Sequence, residues 1–388
     1  MNILLIGGTG VISTEIMNLC IDRGFSVYLL NRGNNKQLIN SQAILIQEDI
    51  NKVEEVRKKI DSFFFDVVVD FLSYNEDQLG RSLSIFRGKC KQYVFISSVA
   101  VYDREGVDDL IAEDNCHMPN RLWDYSVNKL ICEDLLKSKC NEWNIKYTIV
   151  RPSVTYGDTR IPYGITPNYG YHWTLISRIL NNKPIITWGG GNNICTLTHS
   201  EDFAKGFIGL LGNDSAYNEA FHIVGSEQYT WLEVLTMISK ILKKDYIAID
   251  IPVEFIASKS PYLEGVLIGD RAVDARYDNS KIKSVVNNFD SSITLEDGLR
   301  RTINFYKENN YVRGIDYSWD ADMDRIISSY LKKNNSKLLK STSLSFIDYI
   351  GGTYKDRIRY YMYRYNSMNS IVSIARKSIH LFKNIVKK

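Results

Sequence analysis

Tyr125 and Lys129 stand four residues apart in a stretch with helical character, a spacing suited to proton transfer. Residues at positions i and i+4 of a helix lie on one face, so the phenol and the ammonium would be neighbours. A nearby cation stabilises the phenolate and lowers the pKa of a tyrosine towards the range of a general base. Ser98 follows an apolar strand-like run and would hydrogen-bond the reacting oxygen beside Tyr125. The sequence therefore predicts a catalytic set of Ser98, Tyr125 and Lys129.

The same Tyr-x-x-x-Lys spacing also occurs at Tyr277 and Lys281. In a chain with 25 tyrosines the motif alone carries little information. Only Tyr125 follows a strand that ends in paired serines, Ser97 and Ser98. We therefore interpret the second copy as structural.

A glycine-rich turn, Gly7-Gly8-Thr9-Gly10, lies between the first strand-like run and the first helical pattern. Glycines let the backbone turn sharply and approach a pyrophosphate, which the free N–H groups of the helix N-terminus stabilise. Ser13 replaces the third glycine of a GxxGxxG pattern, while the two glycines nearest the phosphate position are kept. The turn therefore predicts a bound dinucleotide.

The residues that read the cofactor's ribose are expected about 20 residues further on, at the end of the second strand. Asn31 and Arg32 stand there instead of an acid. A carboxylate would bind the ribose 2′-hydroxyl and repel a 2′-phosphate, whereas Arg32 can pair with one. The sequence therefore favours NADP slightly and leaves NAD open. The ends of the next two strands are expected at the adenine and beneath the cofactor, and they carry Asp49, Ile50, Phe71, Leu72 and Ser73.

Apolar runs alternate with amphipathic stretches along the first 150 residues. The strand candidates are 2–6, 26–30, 43–46, 66–71, 92–97 and 146–150, and the helical patterns are 14–23, 53–60, 77–86 and 123–143. This alternation predicts an α/β fold in which helices cover both faces of a parallel sheet. We expect three parts: a dinucleotide-binding domain at 1–157 with later returns near 195–225, a substrate-binding lobe at 158–330 and a tail at 331–388.

Four segments together resemble the extended short-chain dehydrogenases, specifically the NAD-dependent epimerase/dehydratase family. They are GGTGxI at the start, the SSxxVY run, YxxxK, and Arg151-Pro-Ser-Val-Thr-Tyr-Gly157. The likeness covers roughly residues 1–310. It implies a Rossmann-type doubly wound parallel sheet with a smaller C-terminal substrate lobe.

The resemblance also assigns roles to residues. It makes Ser98, Tyr125 and Lys129 the catalytic triad, with the last two also beside the cofactor. It places Gly7, Thr9, Gly10, Val11 and Ile12 at the pyrophosphate and Pro152, Ser153 and Val154 near the nicotinamide. The family mostly acts on nucleotide sugars: the tyrosine takes a hydroxyl proton and the nicotinamide takes a hydride. Return of the hydride to the other face gives an epimer.

Departures from the family pattern narrow the expected chemistry. Val99 and Ala100 stand where sugar dehydratases of the family carry an acid pair, so elimination of water lacks its usual acid and base. Cys195, seven positions before Asp202, replaces an arginine that usually binds the nucleotide diphosphate. We therefore expect an epimerase or keto-reductase acting on a sugar. The candidate substrate residues, besides Ser98, are His172, Trp188, Arg271 and Arg276.

Some of the same segments are also similar to chloroplast stem-loop-binding proteins, which handle RNA on this fold. A non-catalytic dinucleotide-sensing or RNA-binding protein is therefore the alternative. From residue 331 onward the chain has 13 Lys and Arg and two acids, a net charge of +11. Because the whole chain has a net charge of +3, residues 1–330 carry −8. RNA affinity depends on neutralising phosphates, and the acidic body argues against nucleic acid as a partner.

The tail has apolar residues at alternating steps of three and four from Ile358, with basic residues beside them, typical of a basic amphipathic helix. Such a helix at 355–388 can lie on an anionic membrane surface, dock on its own body or join a second subunit in a homo-oligomer. Three features of the sequence favour a cytoplasmic protein. The six cysteines form no CxxC pair, there is no leader pattern, and there is no apolar run of about 18 residues. Five histidines lack metal-ligand spacing, so no metal is expected.

Overall fold

Short strands alternate with helices through most of the chain, which the computed structural model describes at residues 1–114, 119–287, 289–309, 314–336 and 354–364. The strands are β1 Asn2–Ile6, β2 Ser26–Asn31, β3 Ile44–Gln47, β4 Phe65–Asp70, β5 Cys90–Ile96, β6 Lys146–Pro152, β7 Val154–Tyr156, β8 Ile185–Thr187, β9 Ile194–His199, β10 Glu219–Ile223, β11 Gln228–Thr230 and β12 Ala248–Asp250. The helices are α1 Val11–Asp22, α2 Val53–Ile60, α3 Glu76–Phe86, α4 Asp124–Trp143, α5 Trp173–Leu180, α6 Ser200–Ile208, α7 Trp231–Leu242, α8 Val253–Lys259, α9 Glu264–Val266, α10 Ser280–Val285, α11 Leu295–Glu308, α12 Tyr317–Lys333 and α13 Tyr354–Arg364.

The central sheet has seven parallel strands in the order β3-β2-β1-β4-β5-β6-β10. The chain winds outward from β1 to β3 and then crosses back to β4, so the loops after β1 and β4 leave the sheet in opposite directions. A crevice opens at this switch point, where doubly wound folds bind their ligands. The predicted doubly wound parallel sheet is confirmed.

Alternate side chains of the central strands are buried on opposite faces of the sheet. In β1, Ile3 and Leu5 join the hydrophobic cluster under α1 and α6, whereas Leu4 and Ile6 join the cluster under α3 and α4. Burial on both faces explains why the strand sequences are continuously apolar instead of alternating with polar residues. The same pattern is what made these strands recognisable in the sequence.

A smaller lobe carries its own core, built from β8, β12 and the helices α5, α7, α8, α11 and α12. Its largest buried side chains include Trp188 and Trp231, whose rings lie 6.1 Å apart. The antiparallel pair β9–β11 and the parallel pair β7–β9 join this lobe to the main sheet. The lobe therefore closes over the carboxyl ends of β5 and β6.

The tail docks on the smaller lobe where the structure describes it. Helix α12 runs through the expected tail boundary at residue 331, and α13 packs along it. The Tyr360 hydroxyl donates to the buried Asp324 carboxylate, and Arg364 donates to Ser328 Oγ at 2.6 Å. Residues 354–364 thus dock on the smaller lobe of the same chain.

The expected apolar stripe of the tail is not the face that packs on α12. Ile358, its first member, is 41% exposed, and the buried contact is made by Tyr360, which is 1% exposed. The stripe from residue 365 onward lies outside the described residues. Within the described part of the chain, none of the helices combines the length and apolarity that a bilayer crossing requires.

Candidate active site

Two adjoining cavities follow the crevice at the carboxyl edge of the sheet. Cavity A, about 430 Å³, lies over the ends of β1 to β4. Cavity B, about 400 Å³, lies over the ends of β5 and β6 and under the smaller lobe. Tyr74 lines both of them, so the two cavities are neighbours.

Every residue predicted to contact the cofactor lines one of these cavities. Cavity A is lined by Gly7, Thr9, Asn31, Arg32, Asp49, Ile50, Leu72 and Ser73. Cavity B is lined by Gly10, Val11, Ile12, Phe71, Tyr125, Lys129, Pro152, Ser153 and Val154. Residues from five separate loops are thus brought to two neighbouring cavities.

The glycine turn needs its glycines for two reasons. Gly7 and Gly8 have φ values of +109° and +86°, and a Cβ on Gly8 would lie 2.4 Å from Leu29 Cδ2. The Asn31 side chain fastens the turn: its Nδ2 donates to the Gly7 carbonyl at 2.9 Å, and its Oδ1 accepts from Gly33 N at 2.8 Å. Asn31 therefore holds the turn in shape, while the Arg32 side chain is exposed at the cavity.

Ser13, which replaces the third glycine, also has a local role. Its Oγ accepts from Gly10 N at 2.8 Å, at the start of α1. The first turn of α1 contains no acidic side chain, so nothing there repels an anion at the helix N-terminus. Turn and helix together fit a pyrophosphate.

Ser98, Tyr125 and Lys129 meet in cavity B. Ser98 lies two residues after the end of β5, and Tyr125 and Lys129 face the cavity from the first two turns of α4. The Tyr125 ring lies 4.6 Å from that of Trp123 and 5.8 Å from Lys129 Nζ. The structure thus brings together the three residues that the sequence singled out for catalysis.

The electrostatics of this set differ from the sequence expectation. Burial raises the pKa of Tyr125 to about 12, and a hydrogen bond with Ser98 opposes the rise. Burial also lowers the pKa of Lys129 to about 8. Lys129 Nζ donates to the Ser73 and Ile96 carbonyls at 2.8 and 2.7 Å, so its charge is directed at the backbone. The pKa of Tyr125 is thus raised where the sequence predicted a lowering, because burial of the phenol outweighs the contacts that favour the phenolate.

The buried Lys129 predicts a specific pH dependence of stability. Its folded-state pKa of about 8 lies below the ordinary 10.5, so the unfolded chain binds the proton more tightly. Lys129 therefore destabilises the fold below pH 8, and this penalty disappears as the pH rises towards 10.5. Relative to Lys129→Met, the wild type should therefore gain on the order of 3 kcal/mol of unfolding free energy as the pH rises from 8 to 10.5.

Urea unfolding at several pH values checks this expectation. Lys281→Met is the matched control, because Lys281 is partly exposed and pairs with Glu219 on the surface. If the difference in unfolding free energy between the wild type and Lys129→Met did not change between pH 8 and 10.5, the lowered pKa of Lys129 would be contradicted.

The far end of cavity B is rich in arginine. Asp270 pairs with both Arg104 and Arg271, and Arg104 Nη1 donates to the Tyr277 hydroxyl at 2.9 Å. The Arg271 guanidinium also lies 5.6 Å from the centre of the Trp231 ring. These residues give this end a positive, aromatic lining.

Of the predicted substrate residues, Ser98 and Arg271 line cavity B, and three others do not. His172 is buried and accepts from Ile161 N at 3.3 Å. Trp188 is a core residue whose Nε1 donates to the Arg271 carbonyl at 3.0 Å. Arg276 pairs with Asp274 outside the cavity. His172 and Trp188 are thus buried packing residues of the protein interior.

Tyr277 and Lys281, the second copy of the motif, face different partners. The Tyr277 hydroxyl accepts from Arg104, whereas Lys281 Nζ pairs with Glu219 at 2.7 Å. Tyr277 nevertheless lines cavity B, which the sequence did not indicate. Among the residues that the structure describes, Tyr277 has no serine or lysine partner like those of Tyr125.

A buried ion pair supports helix α4. Arg151 binds Glu133 through two hydrogen bonds, of 2.9 Å from Nε and 2.5 Å from Nη2. Ser97 Oγ donates to the same carboxylate at 2.6 Å. Glu133 lies one turn after Lys129 on α4, so this pair ties β5, β6 and α4 together.

Sequence reasoning missed several residues of cavity B, namely Tyr74, Arg104, Trp123, Arg160, Trp231 and Asp270. Trp123 had a usable signal, since it immediately precedes the helix of Tyr125. The others come from loops and from the smaller lobe, and no local pattern connects them to the site. Among the described residues there is no group of three or more His, Cys, Asp or Glu side chains arranged to hold a metal.

Comparison with known proteins gives concordant matches. The family model described as the NAD dependent epimerase/dehydratase family matches residues 3–223. The chain is 28% identical over 242 residues to a chloroplast stem-loop binding protein of 41 kDa from Arabidopsis thaliana, covering 59% of this chain and 60% of that protein. It is 26% identical over 260 residues to a putative UDP-glucose 4-epimerase of Methanocaldococcus jannaschii, covering 58% and 82%.

Among solved structures, the UDP-glucuronic acid 4-epimerase of Bacillus cereus, in complex with UDP-glucuronic acid and NAD, aligns with a TM-score of 0.64 at 22% identity. The alignment covers 79% of this chain and 99% of that one. At this identity the likeness shows a shared fold. The chain matches only about 60% of the length of the plant relative, so the activities of whole relatives do not transfer by similarity alone.

Proposed function

Because the chain belongs to the NAD-dependent epimerase/dehydratase family, we propose that it is an NAD(P)-dependent epimerase or keto-reductase acting on a sugar, of the nucleotide-sugar class. The observation that carries this proposal is the meeting of Ser98, Tyr125 and Lys129 in cavity B, next to the start of α1. A protein that only binds a dinucleotide has no chemical need for all three.

The residues at the carboxyl edge of the sheet fit a dinucleotide. Gly7 and Gly8 provide a turn that side chains would obstruct, and the N-terminus of α1 follows it. Pro152 to Val154 line the wall of cavity B on the same side as Tyr125. When bound there, the nicotinamide would accept a hydride from the sugar and return it.

The chain's own residues supply the proton chemistry. Tyr125 takes the proton of the sugar hydroxyl, and Ser98 hydrogen-bonds the same oxygen and holds it beside the phenol. Because burial raises the pKa of Tyr125 to about 12, its deprotonation has to be helped by positive charge in the filled site, and Lys129 Nζ lies 5.8 Å from the centre of its ring. Val99 and Ala100 are buried and apolar, which speaks against dehydration.

Product analysis tests the proposal. The purified protein is incubated with UDP-glucose, UDP-galactose or UDP-glucuronic acid, with NAD, NADP or their reduced forms, and the sugars are resolved chromatographically. An epimerase interconverts C4 epimers without net change in absorbance at 340 nm, whereas a reductase consumes reduced cofactor. Absence of any conversion, together with tight binding of a stem-loop RNA, would favour the RNA-binding alternative.

Cofactor preference is expected to depend on Arg32, which is exposed at cavity A. Arg32→Asp removes the cation that can pair with a 2′-phosphate and introduces a carboxylate that repels it. We expect the ratio of the affinities for NADP and NAD to fall about 10- to 100-fold, since hydrogen bonds to charged groups contribute roughly 1.5–3 kcal/mol. Titration of protein fluorescence with each cofactor measures the ratio, and an unchanged ratio would remove Arg32 from the cofactor site.

A further inference from the structure

A tryptophan stands at the start of the helix that carries Tyr125, where a capping side chain would be expected. Trp123 immediately precedes the first residue of α4, and its indole has no acceptor with which to cap the helix. Serine, threonine, aspartate and asparagine stabilise such a position, because their oxygen atoms accept from the free N–H groups of the first turn. Tyr125 lies in this first turn, where helices fray. Something other than a side-chain cap therefore holds the phenol in place.

The indole of Trp123 packs on two glycines of the smaller lobe, which we call the glycine seat. Gly265 lies in α9, and Gly269 lies in the turn of π-helix that follows, Leu267–Arg271. A Cβ on Gly265 would lie 2.4 Å from Trp123 Cδ1, and a Cβ on Gly269 would lie 2.9 Å from Trp123 Cβ. Neither glycine has a positive φ, so it is the close approach of Trp123 that leaves no room for a side chain.

Asn120 ties the glycine seat to the segments on which the catalytic residues stand. Its Nδ2 donates to the Gly269 carbonyl at 2.7 Å and to the Ala100 carbonyl at 3.0 Å. Its Oδ1 accepts from Leu122 N at 3.1 Å, directly before Trp123. Asn120 is 2% exposed, so water does not compete for these bonds. The seat is thus joined both to the segment after β5 and to the residues that lead into α4.

Trp123 in turn contacts the phenol ring. The centres of the Trp123 and Tyr125 rings are 4.6 Å apart, within the range in which aromatic rings attract each other. Tyr74, the other aromatic neighbour of Tyr125, lies further away at 6.3 Å and is 51% exposed. Because a misplacement of about 1 Å can lower a rate by about 100-fold, the ring that supports Tyr125 most closely matters for turnover.

We infer that Trp123 is a positioning residue: held on the glycine seat, its indole keeps the phenol of Tyr125 beside Ser98 and makes turnover depend on the smaller lobe. This inference rests on the proposed function and adds to it a residue that acts through Tyr125. Gly265 is not among the residues that line cavity B. A substitution at Gly265 therefore reaches the reaction through Trp123.

Steady-state kinetics test the inference with the nucleotide sugar that the wild type converts. Trp123→Ala is expected to lower kcat about 10- to 100-fold, with KM and cofactor affinity close to those of the wild type. Trp123→Phe should recover much of this loss, because an aromatic ring remains against Tyr125. Gly265→Ala should lower kcat in the same way, because the added methyl group displaces the indole.

Gly80→Ala is the matched control. Gly80 lies inside α3, and a Cβ there would meet nothing closer than Leu135 Cδ2 at 3.7 Å, an ordinary van der Waals contact. The added methyl group should therefore leave kcat unchanged. A fall in kcat in Gly80→Ala as large as that in Gly265→Ala would show that the glycine seat has no special role.

Urea unfolding gives a second test that needs no turnover. Gly265→Ala should lower the urea midpoint when Trp123 is present, because the methyl group and the indole cannot both occupy the seat. In the Trp123→Ala background the same substitution should lower the midpoint much less. Equal shifts in the two backgrounds would show that the indole is not what fills the seat, and would overturn the inference.

The kinetic outcomes separate this inference from the proposed function. If the wild type turns over a nucleotide sugar and Trp123→Ala keeps the wild-type kcat, the inference is wrong and the proposed function stands. A raised KM with unchanged kcat would make Trp123 a substrate contact and would also overturn it. Absence of turnover in the wild type would refute the proposed function and the positioning role together, even where urea unfolding shows the indole on its seat.

Discussion

Tyr125→Phe is expected to lower turnover of the nucleotide sugar that the wild type converts by about 10²- to 10⁴-fold, the usual contribution of a positioned acid–base group. In the proposed mechanism the phenol oxygen receives the substrate proton, and phenylalanine lacks this oxygen. The ring itself remains, so its contacts with Trp123 and Tyr74 are kept. Cofactor and substrate should therefore bind with affinities close to those of the wild type.

Steady-state kinetics and cofactor titration together check this prediction. Tyr147→Phe is a suitable control, because this tyrosine of β6 lies outside both cavities and its hydroxyl makes no hydrogen bond with the described residues. The signature of a lost proton acceptor is a fall in kcat with little change in KM. Undiminished kcat in Tyr125→Phe would remove Tyr125 from the chemistry.

The fold could be predicted from the sequence because its central strands are buried on both faces. Continuous apolar runs such as β1 and β4 are separated by amphipathic helices, and this alternation can be recognised in the sequence without knowledge of the tertiary contacts. The short strands β7, β9 and β11 escaped prediction. They are three to six residues long, and their pairing depends on contacts between distant segments.

The site was predictable where local sequence determines geometry and unpredictable where topology does. The glycine turn, Ser98 and the Tyr125–Lys129 pair lie near strand ends or on one helix, so their spacing could be combined with the neighbouring strand patterns to place them. Arg160 stands in an irregular loop whose course depends on packing against the smaller lobe. His172, in the same segment, was expected at the substrate, but its ring is buried against the backbone of Ile161.

Arg151 belongs to one of the sequence motifs, but its contacts are structural. It precedes Pro152 in the segment that resembles the family, yet it is not among the residues that line cavity B, and its side chain binds Glu133, Tyr102 and the Glu113 carbonyl. Through Glu133 and Ser97 it links α4 to the segment that follows β5 and carries Ser98. A sequence shows that such a residue is present, whereas the buried carboxylate on α4 that it binds becomes evident only in the structure.

Arg151→Met is expected to lower the free energy of unfolding by about 3–5 kcal/mol, because it leaves the Glu133 carboxylate buried without its cation. Glu133 is fully buried, so water cannot replace the lost partner. The double variant Arg151→Met/Glu133→Leu removes both charges and should recover much of the loss, as buried ion pairs often tolerate apolar replacement. Urea unfolding of both variants measures the difference, with Arg300→Met as the surface control. If the single variant lost less than about 1 kcal/mol, the typical limit for exposed pairs, the Arg151–Glu133 pair would not be what holds α4 against β6.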